Sequence, residues 1–183
     1  SWWDYGYWIS IIGNKTTLVD NGTFNTTQIA NVGRIFMSNE TEAIKILETY
    51  KRDERRPEYI VVFTTFGTDG SIVGYGDEGK WSWMAKIAAS RFGNYFDDES
   101  FGNFTLGVDW IDLNDNGQRD QDELVPNTKG QNSTIYKLMT YAKHEKVSSV
   151  PAPTLQHFQK AFFSTGKNYG GTYVLVAVYK IIY

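Results

Sequence analysis

Four stretches of the chain place apolar residues at helical spacing. From Thr27 to Met37 they are Ile29, Val32, Ile35 and Phe36, a stripe on one helix face. A second helix is expected from Asn39, where Glu42 stands three residues on as a capping partner. Its apolar positions are Ala43, Ile44, Ile46, Leu47 and Tyr50, and they run to about Lys51. A third is expected from about Asp77 to Phe92, and a fourth from Ser133 to Glu145 with Ile135, Leu138, Met139 and Ala142 on one side. β-Branched and aromatic runs predict strands instead. Tyr59 to Phe63 reads as a buried strand, and Phe158 to Ser164 with Thr172 to Tyr183 reads as a hairpin across Gly166 to Gly171. Ile9 to Ile12 and Thr16 to Val19, around Gly13-Asn14-Lys15, predict a further short hairpin, while Asp4 to Trp8 fits no regular element. Residues 51–58 are a charged loop, and 94–132 is a polar stretch interrupted at Gly107 to Leu113, a candidate inserted lobe. The fold class expected is α+β: a helix-rich central core with short β segments and a C-terminal β-hairpin, in one domain over residues 1–183.

Composition narrows the chemistry. The 183 residues hold no Cys and only two His, His144 and His157. Disulfides, zinc–thiolate sites, iron–sulfur clusters, Cys nucleophiles and multi-His metal centres are thereby excluded. A net charge of −3 argues against nucleic acid as a partner, since that surface must replace condensed counterions with Lys and Arg. The longest apolar run, Tyr173 to Tyr179, falls well short of the roughly 20 residues that cross a bilayer. The chain opens on Ser1 rather than Met and carries no signal-peptide pattern, so it is expected to be a piece of something longer.

Trp2-Trp3-Asp4-Tyr5-Gly6 is the most unusual run. Indole N–H groups only donate and a carboxylate only accepts, so brought to one point they bind a hydroxyl in both directions. Composition alone favours a plainer account, with two core Trp and an Asp at a helix start. The run matches the WWDYG signature of the oligosaccharyltransferase catalytic subunit, the membrane enzyme of asparagine-linked glycosylation. Tyr7-Trp8-Ile9, Thr17 to Asn21, Gln28-Ile29-Ala30 and Val32-Gly33 resemble the same family. So does Asp77-Glu78-Gly79-Lys80-Trp81-Ser82-Trp83-Met84, which fits the family's DK pattern, Asp-x-x-Lys-x-x-x-Met or Ile. On a helix, Asp77, Lys80 and Met84 would share one face.

The resemblance covers residues 1 to about 91. It implies the soluble C-terminal domain of a multi-pass membrane glycosyltransferase, on the extracytoplasmic face of the cell membrane. The short length and absent Cys suit an archaeal member better than a eukaryotic one. Mg²⁺ or Mn²⁺ and the lipid-linked oligosaccharide would belong to a membrane region outside this chain, so no catalytic residue is assigned here and the isolated domain is expected to be inactive. The chain's part would be to bind the acceptor polypeptide at the Ser or Thr of Asn-x-Ser/Thr. Trp2, Trp3 and Asp4 would hold the hydroxyl, with Lys80 as an extra donor and Tyr5, Gly6 and Asp77 as motif support. Met84 would touch the Thr methyl, a contact of about 0.8 kcal/mol.

Independently of the family, Asp112 to Glu123 fits a twelve-residue calcium loop. Asp112, Asn114, Asn116, Gln118, Asp120 and Glu123 are the candidate Ca²⁺ ligands, with Gly117 at the sharp turn. This supports a rival reading, a non-catalytic, calcium-stabilised extracellular module that binds carbohydrate or protein. Six Asn-x-Thr sites begin at Asn14, Asn21, Asn25, Asn39, Asn103 and Asn132, as expected of a domain facing a glycosylating compartment.

Overall fold

The protein is seen in a computed structural model that describes residues 1–71, 73–92, 108–110, 117, 124–126 and 128–183. Among these, the helices in chain order are α1 (Trp3–Ile11), α2 (Thr26–Met37), α3 (Glu40–Glu48), α4 (Trp81–Phe92), α5 (Thr128–Gln131) and α6 (Thr134–His144). The strands are β1 (Tyr59–Gly67), β2 (Val108–Trp110), β3 (Leu124–Pro126), β4 (Phe158–Phe163), β5 (Lys167–Tyr169) and β6 (Thr172–Ile181). The class is α+β, as the apolar pattern predicts.

β6 is the spine of the main sheet. It pairs antiparallel with β1 along one side, from Tyr59↔Lys180 to Gly67↔Thr172, and with β4 and β5 along the other. Gly170 and Gly171, at φ +57° and +92°, make the two-residue turn from β5 into β6, a conformation that side chains with a Cβ resist. Side chains alternate across the sheet, so Ile60, Val62, Thr64 and Phe66 of β1 share a buried face with Leu175, Ala177 and Tyr179 of β6. α6 covers that face with Ile135, Leu138 and Ala142, and the buried Tyr179 hydroxyl donates to the Leu138 carbonyl at 2.6 Å. Each of the larger apolar side chains among them contributes about 1.5–3 kcal/mol by leaving water.

The α2 and α3 boundaries follow their caps. Asn25 Oδ1 accepts from Gln28 N–H at 3.1 Å and Asn39 Oδ1 from Glu42 N–H at 3.0 Å. The segment before β4 is fastened to α3 by Glu40, whose carboxylate accepts from the backbone of Gln156 and His157 and pairs with Lys137 of α6.

Two expectations fail. No hairpin spans residues 9–19, because the chain from Trp3 to Ile11 is helix α1. That helix is apolar over almost its whole circumference, so it shows no 3.6-residue period. The helix expected from Asp77 begins instead as a 3₁₀ turn, Asp77–Gly79, and becomes α-helical only at Trp81. The candidate calcium ligands all lie outside the described residues, as does most of the stretch 94–132; Gly117, the glycine of the expected turn, sits at φ +71°.

Candidate functional site

Among the described residues β1 has a partner strand on one side only, so the N–H groups along its other edge need acceptors. The 3₁₀ turn supplies them. Phe63 N–H donates to Asp77 Oδ2 at 2.8 Å, and Thr65 N–H donates to Glu78 Oε1 at 2.8 Å. The Thr65 hydroxyl and Gly76 N–H also donate to Glu78 Oε1, the latter at 3.0 Å. Two consecutive carboxylates thus take the place of a missing neighbour strand and fix the turn that carries Lys80.

Helix α1 brings the other half. It crosses the chain at Val19–Asp20 so closely that a Cβ on Gly6 would lie 2.0 Å from the Val19 carbonyl oxygen, which leaves room only for glycine. In this placement Lys80 Nζ lies 2.5 Å from Asp4 Oδ2 and 2.6 Å from the Tyr5 hydroxyl oxygen, across 76 and 75 residues of sequence. The ammonium also sits 4.2 Å from the centre of the Tyr5 ring. Tyr5 in turn packs edge-on against Phe63 of β1, with ring centres 6.0 Å apart. Asp4 and Lys80 remain about one-third exposed, and Asp4 Oδ1 is a buried oxygen with no hydrogen-bond partner.

The electrostatics follow from burial. Asp77 has no exposed surface, and desolvation pushes its pKa up to about 6 against the opposing pull of the Phe63 N–H, the Lys80 charge and the Tyr5 hydroxyl. The Tyr5 hydroxyl faces Asp77 from outside strict hydrogen-bond geometry, and Asp77 Oδ1 has no partner. Burial, then the Asp77 and Asp4 charges, hold the Tyr5 phenol far above its ordinary range, so it stays neutral. Behind the turn, burial lowers the pKa of Lys143, a tendency that the charge of Glu78 opposes.

The residues singled out in the sequence therefore separate. Asp4, Tyr5 and Lys80 meet at one point, with Trp3 half-buried on the same helix. Trp2 belongs to the hydrophobic core at 3% exposure, and Met84 has no exposed surface at all. As it stands, Met84 packs inside the domain and offers nothing to a ligand methyl. Asp77 works inward, as a cap on the edge of β1. Glu78 escaped the sequence reading, although a second carboxylate beside Asp77, soon after a strand and a Gly-rich loop, was a usable signal. Among the described residues, no group of three or more His, Asp or Glu side chains is placed to hold a metal, and no helix is long and apolar enough to cross a membrane.

Comparison with known proteins agrees with this N-terminal emphasis. Residues 1–58 match the STT3/PglB/AglB core domain. The chain is 41% identical over 116 residues to the dolichyl-diphosphooligosaccharide–protein glycosyltransferase subunit stt-3 of Caenorhabditis elegans, covering 59% of this chain and 14% of that protein. It is 42% identical over 94 residues to subunit STT3B of Oryza sativa subsp. japonica, covering 50% and 12%. With subunit STT3 of Dictyostelium discoideum it shares 32% identity over 192 aligned positions, covering 99% of this chain and 24% of the relative. The chain therefore spans at most about a quarter of these relatives, and along that span it is similar to the STT3 subunit of oligosaccharyltransferases.

Proposed function

We propose that this chain is the acceptor-recognition part of an oligosaccharyltransferase catalytic subunit, and that Asp4, Lys80 and Trp3 read the Ser or Thr hydroxyl of Asn-x-Ser/Thr. The whole enzyme would transfer a lipid-linked oligosaccharide to the Asn amide, with the donor site and catalytic metal supplied by polypeptide outside this chain. The observation that carries the reading is the Asp4–Lys80 pair, which keeps about 30% of its side-chain surface in water beside the half-buried Trp3. A hydroxyl is donor and acceptor at once: it would donate to the Asp4 carboxylate and accept from Lys80 or the Trp3 indole. A residue without the hydroxyl would leave those groups unpaired, at a cost of about 1–3 kcal/mol each.

The test is transfer by the full-length subunit in membranes. Asp4→Ala should lower kcat/KM for an Asn-x-Thr peptide by about 10- to 150-fold, the equivalent of one hydrogen bond to a charged group. Trp3→Ala should act in the same direction. Near-normal transfer by both variants would refute the assignment. Residues 1–183 alone should give no product with lipid-linked donor, divalent metal and peptide, and turnover by that piece would overturn the division of labour.

A further inference from the structure

Asn39-Glu40-Thr41 is one of the six Asn-x-Thr sites, and the fold treats its three residues differently. Glu40 is buried, whereas Asn39 and Thr41 are exposed. Asn39 Oδ1 faces the Glu42 N–H as the cap of α3, and in a planar amide that turns Nδ2 away from the helix. The nitrogen to which a sugar would be joined thus points outward while the oxygen keeps the helix capped. Among the described residues the Thr41 hydroxyl has no hydrogen-bond partner. Other sites of this kind spend theirs on the fold: the Thr23 hydroxyl pairs with Asp20, that of Thr27 with Arg91, and that of the buried Thr134 with the Ser38 carbonyl.

The contacts that lock this segment come from far along the chain. The Ser38 carbonyl accepts from Thr134, 96 residues on, and Glu40 is held by Lys137, Gln156 and His157, which lie 97, 116 and 117 residues on. α3 has nine residues, too few to persist as a helix by itself. At about 5–20 residues per second, synthesis leaves Asn39-Glu40-Thr41 unlocked for roughly 5–20 s. Once the fold closes, Asn39 stands at the mouth of a polar cleft lined also by Thr41, Lys45, Asn132 and Gln156, whose amides and ammonium suit sugar hydroxyls.

We propose that Asn39 is a modification site: it carries an N-linked oligosaccharide, transferred before residues 134–157 close on Ser38–Glu40, and the first sugars lie over the adjoining cleft. In the transfer a bond forms between Asn39 Nδ2 and C1 of the sugar as the C1–O bond to the lipid phosphate breaks. The amide gives up one proton, and the phosphate leaves with the electron pair. This rests on the reading of the chain as part of an enzyme that works where lipid-linked oligosaccharide is transferred.

The experiment is glycopeptide mass spectrometry on the full-length subunit purified from the membranes of its own host. Trypsin cuts after Arg34 and Lys45, so the peptide Ile35–Lys45 carries this site alone, while Asn21 and Asn25 fall together in Thr16–Arg34. Ile35–Lys45 should bear an oligosaccharide in the parent and in Thr41→Ser, and should be bare in Thr41→Ala, which keeps the Asn39 cap and alters no charge. Acetylation of Lys45 by a succinimidyl ester should run several-fold faster in Thr41→Ala, where no sugar covers the cleft. Equal rates would overturn the placement of the sugar. A bare Ile35–Lys45 in the parent, beside sugar on Thr16–Arg34, would overturn the Asn39 site and leave the proposed function standing. Sugar on none of the chain's sites would overturn the Asn39 site and count against the proposed function as well.

Discussion

Glu40 and Asp4 each meet a lysine across a long stretch of sequence, Lys137 at 2.8 Å over 97 residues and Lys80 at 2.5 Å over 76. Glu40 is 2% exposed and both of its oxygens are engaged: Oε1 takes Lys137, while Oε2 takes the Gln156 and His157 N–H groups at 2.8 and 2.9 Å. It also stands in the first turn of α3, where the helix dipole favours a negative charge. Burial alone would raise its pKa, but Lys137 and the two backbone donors outweigh that and hold it below the ordinary carboxylate value. Asp4 is more exposed and keeps one oxygen without a partner, and Asp77 behind it has its pKa raised. A buried pair fastens the fold, whereas one that keeps part of its surface in water can still meet a ligand. A polar cleft of about 360 Å³ opens beside Glu40 and Lys137, away from the residues of the WWDYG run.

The comparison breaks most visibly at Glu40. Glu40→Ala leaves the Lys137 ammonium and two backbone N–H groups without their acceptor, and should destabilise the chain by about 3–5 kcal/mol in urea unfolding. The same group gives an acid-sensitive limb. Its folded pKa is below the unfolded value of about 4.5, so the folded state binds fewer protons. Its contribution is therefore complete above that value and is lost as pH falls through the lower folded pKa. An Ala variant as stable as the parent would mean that the 154–157 segment is held by other contacts.

How much of this was legible beforehand depends on the kind of signal. Amphipathic helices such as α2 and α3 announce themselves by period, and their Asn caps mark their starts. α1 could not be read that way, since Trp3, Tyr5, Trp8 and Ile11 leave hardly any polar face to set a phase. Asp77 and Lys80 were found as a pattern, but the pattern placed both on one α-helical face. In the structure Asp77 turns inward to β1 while Lys80 reaches α1, a difference created by a strand edge short of acceptors, and only tertiary structure reveals that shortage. Met84 is buried for a reason of the same kind: helical offset gives direction and says nothing of what covers the residue.

A smaller effect, of the opposite sign, is expected at Asp77. Burial raises its folded pKa from about 3.8 to about 6, so the folded state binds the extra proton across that interval. Its contribution to stability is complete below about pH 3.8 and is lost as pH rises through about 6. The span corresponds to roughly 2–3 kcal/mol. Asp77→Asn keeps an oxygen for the Phe63 N–H and cannot ionise, so urea unfolding at stepped pH should lose this decline in the variant. A variant with the parent's pH profile would assign the decline to another group.

The smallest change in stability is expected where the largest change in function is proposed. Asp4 and Lys80 keep 30% and 28% of their side-chain surface in water, so their Coulomb attraction is screened and much of it is lost to solvent. Lys80→Ala should therefore shift the unfolding free energy by less than about 1 kcal/mol, and added salt should shrink even that. The turn itself should persist, because its fastening to β1 runs through Asp77 and Glu78 and not through the Lys80 side chain. Without the ammonium, Asp77 loses a charge that lowers its pKa, so its titration should move upward in the same variant. Unfolding by urea at low and high salt, with the pH series repeated, measures all three. A loss of several kcal/mol on removing Lys80 would place this pair with Glu40–Lys137 among the structural fasteners and remove the contrast from which its role in binding was argued.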